Sequence, residues 1–97
     1  MFEIKFTPDA IEDLRWFAKA DRKQILAALE SRLSHEPTVE TRNRKRLRPN
    51  RLAEWELRWG VFRVFFDVEE DDRLIKLIAI GYKEGSHLFI RGREYEL

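Results

Sequence analysis

Glu56 and Arg63 are the first residues whose types and spacing suggest chemistry. A carboxylate beside a guanidinium can serve as general base and phosphate stabiliser in RNA cleavage. The same two side chains can equally form a cross-strand ion pair, worth roughly 0.2–1 kcal/mol in any sheet. Arg58 lies two residues from Glu56. Upstream, Arg42, Arg44, Lys45, Arg46, Arg48 and Arg51 stand close together with no acid among them. Such a run attracts polyanions by counterion release, independently of sequence. Guanidinium forks also match phosphate oxygens two at a time. A solvated loop, or a surface matched to an acidic protein, would carry the same run. Lys83 and His87, with Tyr82, follow the last strongly apolar segment, where loops often hold reactive groups. Histidine exchanges protons near neutrality, which qualifies His87 as a catalytic acid, although a surface loop histidine is the plainer reading. With two histidines and no cysteine, no metal site and no cofactor are expected. No serine–histidine–acid arrangement, glycine-rich phosphate loop or helix-turn-helix pattern is visible.

These residues need elements to hold them. In WELRWGVFRVFF, residues 55–66, apolar and polar positions alternate on both sides of Gly60, the mark of two adjacent strands. With Trp59-Gly60 as the turn, residue 57 faces 62 and residue 56 faces 63. Trp55, Leu57, Phe62 and Val64 then fill one face, and Glu56, Arg58 and Arg63 share the other. Phe2, Ile4 and Phe6 alternate in a short first strand. Thr7-Pro8 is a cap followed by a proline suited to the first helical position. A helix over 8–19 follows, with a stripe of Ile11, Leu14, Phe17 and Ala18. Asp21, with Gln24 three residues on, caps a second helix whose stripe is Ile25, Ala28, Leu29 and Leu33. It ends near Ser34, before Pro37. Leu47 anchors a short strand, Pro49-Asn50 is a turn, and Glu69 to Asp72 is a polar turn. Leu74 to Ile80 is almost unbroken apolar sequence, as expected of a strand covered on most of both faces. The tail, 86–97, carries Leu88, Phe89, Ile90 and Tyr95 with no readable period and receives no assignment. The expectation is a single α+β domain over 1–97. An N-terminal strand and a two-helix hairpin pack on a twisted antiparallel sheet of four or five strands.

Bulk properties narrow the classes. Ninety-seven residues make one domain. A hydrophobic share of 43% with seven phenylalanines excludes disorder, although 38% of the chain is charged. The absence of cysteine excludes disulfides and thiolate chemistry and suits the reducing cytoplasm. No run approaches the roughly 18 apolar residues of a membrane span, so no membrane is expected. Net charge is only +1, so the placement of charge matters more than its sum. The four acids at 69–72 lie at the far end of the second hairpin strand from Arg63, which polarises the molecule.

In their joint order, Arg44-Lys45-Arg46-Leu47, Trp55-Glu56-Leu57-Arg58 with Gly60, Phe62-Arg63-Val64-Phe65-Phe66 and Ile80-Gly81-Tyr82-Lys83 carry a resemblance. Over nearly its whole length the chain resembles the RelE/ParE superfamily of toxins from bacterial type II toxin–antitoxin, or plasmid-stabilisation, pairs. The resemblance implies a sheet backed by a helical hairpin, and a cognate antitoxin that wraps the toxin. It further implies one of two activities. RelE-like members cut mRNA in the ribosomal A site without metal, the 2′-hydroxyl attacking the neighbouring phosphate. ParE-like members poison DNA gyrase and cut no RNA. By the same resemblance Arg63 is the phosphate ligand, Lys83 is the basic residue after the Ile-Gly step, and Lys45 and Arg58 line the groove. Phe89 stands where RNA-cutting members often place a tyrosine, and Lys45 where some carry a glutamate base. The acid–base work then falls to Glu56, His87 or Tyr95. The leading expectation is ribosome-dependent mRNA cleavage, an endoribonuclease with Arg63, Lys83, Glu56 and His87 as catalytic residues. Arg44, Lys45, Arg46, Arg48 and Arg58 then bind RNA. Gyrase inhibition and a non-toxic relative are the alternatives, and self-association stays open.

Overall fold

Thr7 decides how the chain leaves its first strand. The computed structural model describes all residues, 1–97. Strand β1 (Glu3–Phe6) ends at Thr7, whose extended backbone and hydroxyl start helix α1 (Pro8–Trp16), Oγ1 accepting from the Ala10 amide at 3.1 Å. Pro8 occupies the first turn, where its missing N–H costs nothing. Helix α2 (Lys19–Leu33) follows after two non-helical residues, Phe17 and Ala18. The expected boundaries move here. Helix α1 stops at Trp16 because the Arg22 guanidinium takes over its last carbonyls, donating to Phe17 O at 3.2 Å and Arg15 O at 3.4 Å. Ala18 holds the N-cap of α2 with no side-chain hydrogen bond, and Asp21 sits in the first turn, where the helix dipole favours an anion.

The second half of the chain is sheet. Strands β2 (Arg44–Arg46), β3 (Trp55–Trp59), β4 (Phe62–Glu69), β5 (Leu74–Glu84), β6 (His87–Ile90) and β7 (Arg93–Glu94) pair antiparallel in chain order. Strand β1 joins parallel to β5. The sheet therefore has seven strands, more than expected. The additional strands are the two of the tail, β6 and β7, where no alternation is readable, and the short strand expected at Leu47 lies just before it, at β2. The β3–β4 turn is Gly60-Val61, with Gly60 at φ 58°, and pairs Leu57 with Val64, Glu56 with Phe65 and Arg58 with Arg63. The register differs from expectation by two residues. Because side chains alternate with a period of two, every one keeps its expected face.

The helices cover one face. Ile25, Leu29 and Leu33 of α2 pack with Trp55, Leu57, Phe62, Val64 and Phe66 in the main core. Helix α1 presents Ala10 and Asp13, with Phe17 just beyond its end, and leaves Ile11 exposed. The expected apolar stripe is thus rotated, because a buried carboxylate faces the sheet. The other face is partly covered as well. Phe65, Ala79, Ala53 and Leu88 form a second cluster, joined by Leu47 and Leu52 from the β2–β3 loop and by Ile78, Ile90 and Tyr95.

Strand β5 has a crowded edge. Strand β1 occupies its residues 74–77 and β6 its residues 82–84, both on the side away from β4. A bulge leaves Ile78 unpaired between Leu77 and Ala79. The backbone groups in the gap are met by side chains: Thr7 Oγ1 donates to Ile78 O at 3.3 Å, and the Ile80 amide donates to Asp13 Oδ2 at 3.0 Å. Beside the gap, Gly81 is needed for want of space. A Cβ there would lie 2.4 Å from the Phe89 carbonyl oxygen and 3.0 Å from Ile90 Cγ1. Gly81→Ala is expected to cost roughly 1–3 kcal/mol by forcing β6 off β5. A urea denaturation midpoint equal to that of the unaltered chain would refute the close approach.

Candidate nucleic-acid interface

Period-two alternation brings five charged residues to the face away from the helices. Glu56 and Arg58 come from β3, Arg63 from β4, Lys83 from β5 and Lys45, opposite Glu56, from β2. Arg58 and Arg63 are direct cross-strand partners, a like-charged pairing that a sheet tolerates poorly. Glu56 offsets it. Its carboxylate is 4% exposed and accepts from Arg58 Nε at 2.9 Å. The acid therefore pairs along its own strand with Arg58, not across the hairpin with Arg63.

Arg63 is held by its own turn. Nη1 donates to Gly60 O at 2.7 Å and to Phe62 O at 2.8 Å. Nε is enclosed and has no hydrogen-bond partner. Burial pushes this guanidinium below its usual pKa; Glu56 opposes the shift and Arg58 adds to it. An enclosed donor left unmet costs roughly 1–3 kcal/mol. Gly81, opposite Arg63, adds no side chain above it. Lys83, half-buried, lies two residues further along β5.

Other expected residues lie elsewhere. In β2, neighbours cannot share a face, so the basic run divides. Arg44 faces the helices and is 9% exposed; Nε donates to Val39 O at 2.8 Å and Nη1 to Arg32 O at 2.6 Å. Its donors lock the α2 end to the loop, and burial lowers its pKa. The structure thus corrects its assignment to RNA. Arg46 is also on the helix side, with its guanidinium 5.6 Å from the Trp55 ring. Arg48 is exposed and lines, with Arg46 and Arg51, a separate groove of about 460 Å³. His87 shares the register side of Phe89, opposite to Lys83, and its Nδ1 lies 2.7 Å from Glu94 Oε2. It nevertheless lines, with Lys83, Glu94 and Tyr95, a groove of about 310 Å³ beside the tail. Phe89 stacks on Tyr82 at 5.5 Å, likewise toward the helices, so a tyrosine hydroxyl there would start from the wrong side. Tyr95 bonds through its amide to Leu88 O and stands on the Lys83 side.

The cluster sits on open sheet. Lys45, Glu56, Arg58 and Arg63 line none of the larger surface grooves. A flat cationic surface suits a macromolecule, not a small ligand. Glu69 to Asp72 close the other end of β4, roughly 20 Å away at strand rise. No three histidine, aspartate or glutamate side chains converge as a metal's ligand set. No helix is long and apolar enough to cross a membrane.

A family model described as the ParE toxin of the type II toxin–antitoxin system, parDE, matches residues 4–86. No curated protein sequence matches. Among solved structures, the RelBE2 toxin–antitoxin complex of Mycobacterium tuberculosis is similar with a TM-score of 0.73 and 20% identity, covering 84% of this chain and 98% of that one. The isolated E. coli RelE toxin gives 0.69 and 17%, over 87% and 86%. The archaeal RelE–RelB complex of Pyrococcus horikoshii OT3 gives 0.66 and 21%, over 87% and 96%. At these identities the structural likeness establishes the fold.

Sequence reasoning missed Asp13, although its place between Ala10 and Phe17 on one helical stripe is a usable signal. The carboxylate is 1% exposed. Oδ2 accepts from the Ile80 amide, and Oδ1 lies 2.9 Å from Arg91 Nε, an ion pair set off the hydrogen-bond direction. Burial raises its pKa above the ordinary 3.8; the Ile80 amide and Arg91 pull it back, and Asp9 pushes it further up. The folded chain thus holds this proton more tightly than the unfolded one. Acidification from neutrality through the raised pKa down to 3.8 relieves a penalty, and below 3.8 nothing more is gained. The unaltered chain is expected to gain stability relative to Asp13→Asn between about pH 7 and about pH 4, read as the change in their urea midpoints. A gap that moves the other way, or not at all, refutes it.

Proposed function

We propose that this chain, which belongs to the RelE/ParE superfamily of toxins of type II toxin–antitoxin systems, stops growth by cleaving mRNA on the ribosome, and that a cognate antitoxin neutralises it. The observation that carries the reading is the state of Arg63. Its guanidinium is anchored through Nη1 to the carbonyls of its own turn, directly across from Arg58 and diagonal to Lys83 on the face away from the helices. A phosphodiester supplies anionic oxygens that a guanidinium held in this way pairs with.

The chemistry needs charge stabilisation and one proton acceptor. The 2′-oxygen attacks phosphorus, the bond to the 5′-oxygen breaks, and a 2′,3′-cyclic phosphate and a 5′-hydroxyl remain. Arg63 and Lys83 face the phosphoryl oxygens, where negative charge builds in the transition state. Lys45 and Arg58 hold the flanking backbone. As Arg58 turns to the phosphate, Glu56 is released to take the 2′-hydroxyl proton, which the leaving oxygen regains from solvent.

A gyrase-directed, non-cleaving toxin is the second reading, and one observation favours it. Neither His87 nor Phe89 places an imidazole or ring on the cationic face, so binding without acid–base chemistry accounts for the same surface. The two readings separate on induction without antitoxin. Cleavage predicts loss of protein synthesis and shortened transcripts. Gyrase inhibition predicts the DNA-damage response and filamentation with intact transcripts. Arg63→Ala is expected to lower cleavage by roughly 10²–10³ while the fold persists, measured by primer extension alongside a thermal melt. Full cleavage by Arg63→Ala would sink the assignment of that residue.

A further inference from the structure

Two unfavourable choices converge on one contact. Asp13 is a carboxylate 1% exposed. Arg91 lies in the β6–β7 turn with Gly92, at φ 49° and 75°, in the left-handed conformation that asparagine and glycine tolerate best. A turn selected for stability alone would carry asparagine at 91. Arginine there offers a side chain long enough to reach the helix, and its Nε meets Asp13 Oδ1 at 2.9 Å. The other oxygen of Asp13 holds the Ile80 amide. One carboxylate thereby grips β5 one residue before Gly81, which faces Arg63, and also grips the hairpin whose Leu88 pairs with Lys83. The gap in the β5 edge is where these two elements would otherwise shift against each other, and β7, of two residues, adds little restraint.

We propose that Asp13 and Arg91 form a bracket that sets the pose of Lys83 beside Arg63, as positioning residues for target engagement. The inference rests on the reading of the Arg63–Lys83 face as the target-binding surface. Two locally unfavourable choices that meet at one contact are the pattern expected of a functional constraint.

The test is the variant Asp13→Asn/Arg91→Asn, with Arg63→Ala beside it, in the full chain. Asparagine at 13 keeps an oxygen for the Ile80 amide, and asparagine at 91 suits the turn, so Tm stays at or above that of the unaltered protein. The inducer level needed for growth arrest rises by roughly ten- to a hundredfold, as when a reacting or binding group is misplaced by about 1 Å. Amide exchange at Tyr95, which bonds to Leu88 O, speeds up in the same variant. Arrest at the original inducer level overturns the bracket. A Tm lower by several degrees also overturns it, since the pair would then serve stability. Arg63→Ala tells the two failures apart: if it arrests growth fully, the face reading falls. If it alone is inactive, only the bracket falls.

Discussion

One edge of β5 has to serve two strands, and the rest of the molecule is arranged around that constraint. Strand β1 arrives parallel at one end and β6 antiparallel at the other, leaving a short unpaired stretch around the bulge at Ile78. Unmet backbone groups in a buried sheet are costly, so the start of α1 supplies side chains to meet them. Thr7 both caps its helix and closes the Ile78 carbonyl. Asp13, almost two turns on, closes the Ile80 amide. The position of α1 and the rotation of its apolar stripe follow from those two contacts.

The same economy shapes the cationic face. Two arginines placed opposite each other repel, and a buried glutamate paired with Arg58 along its own strand offsets part of that cost. Arg63 is further restrained by the carbonyls of its own turn, which leaves a rigid guanidinium. Rigidity of this kind is worth more to a binding surface than another mobile lysine, since little side-chain entropy is lost when a ligand arrives. Acids gathered at the opposite end of β4 add a dipole along the sheet.

Cations adjacent in sequence are not neighbours in function here. The run from Arg42 to Arg51 reads as one patch, yet its strand segment turns Lys45 outward and Arg44 and Arg46 toward the helices. Arg44 ends as an internal brace between α2 and the following loop. The smaller apolar cluster, built from the β2–β3 loop and the tail, narrows the exposed sheet to the end bearing Glu56, Arg58, Arg63 and Lys83.

The residues alone determined the helical hairpin, the two central strands and which of those strands' side chains share a face. Periods of 3.6 and 2 are local properties, and a register error of two residues preserves them. The family was legible too, because it rests on the order of several short segments. Only the tertiary structure decided which charges are free. Pairing of Glu56 with Arg58, loss of Arg44 to carbonyls, removal of His87 to the other face and burial of Asp13 against Arg91 all depend on distances between elements far apart in the chain. The tail could not be read for the same reason: strands of four and two residues gain their order from pairing with β5 and with each other, not from any pattern of their own.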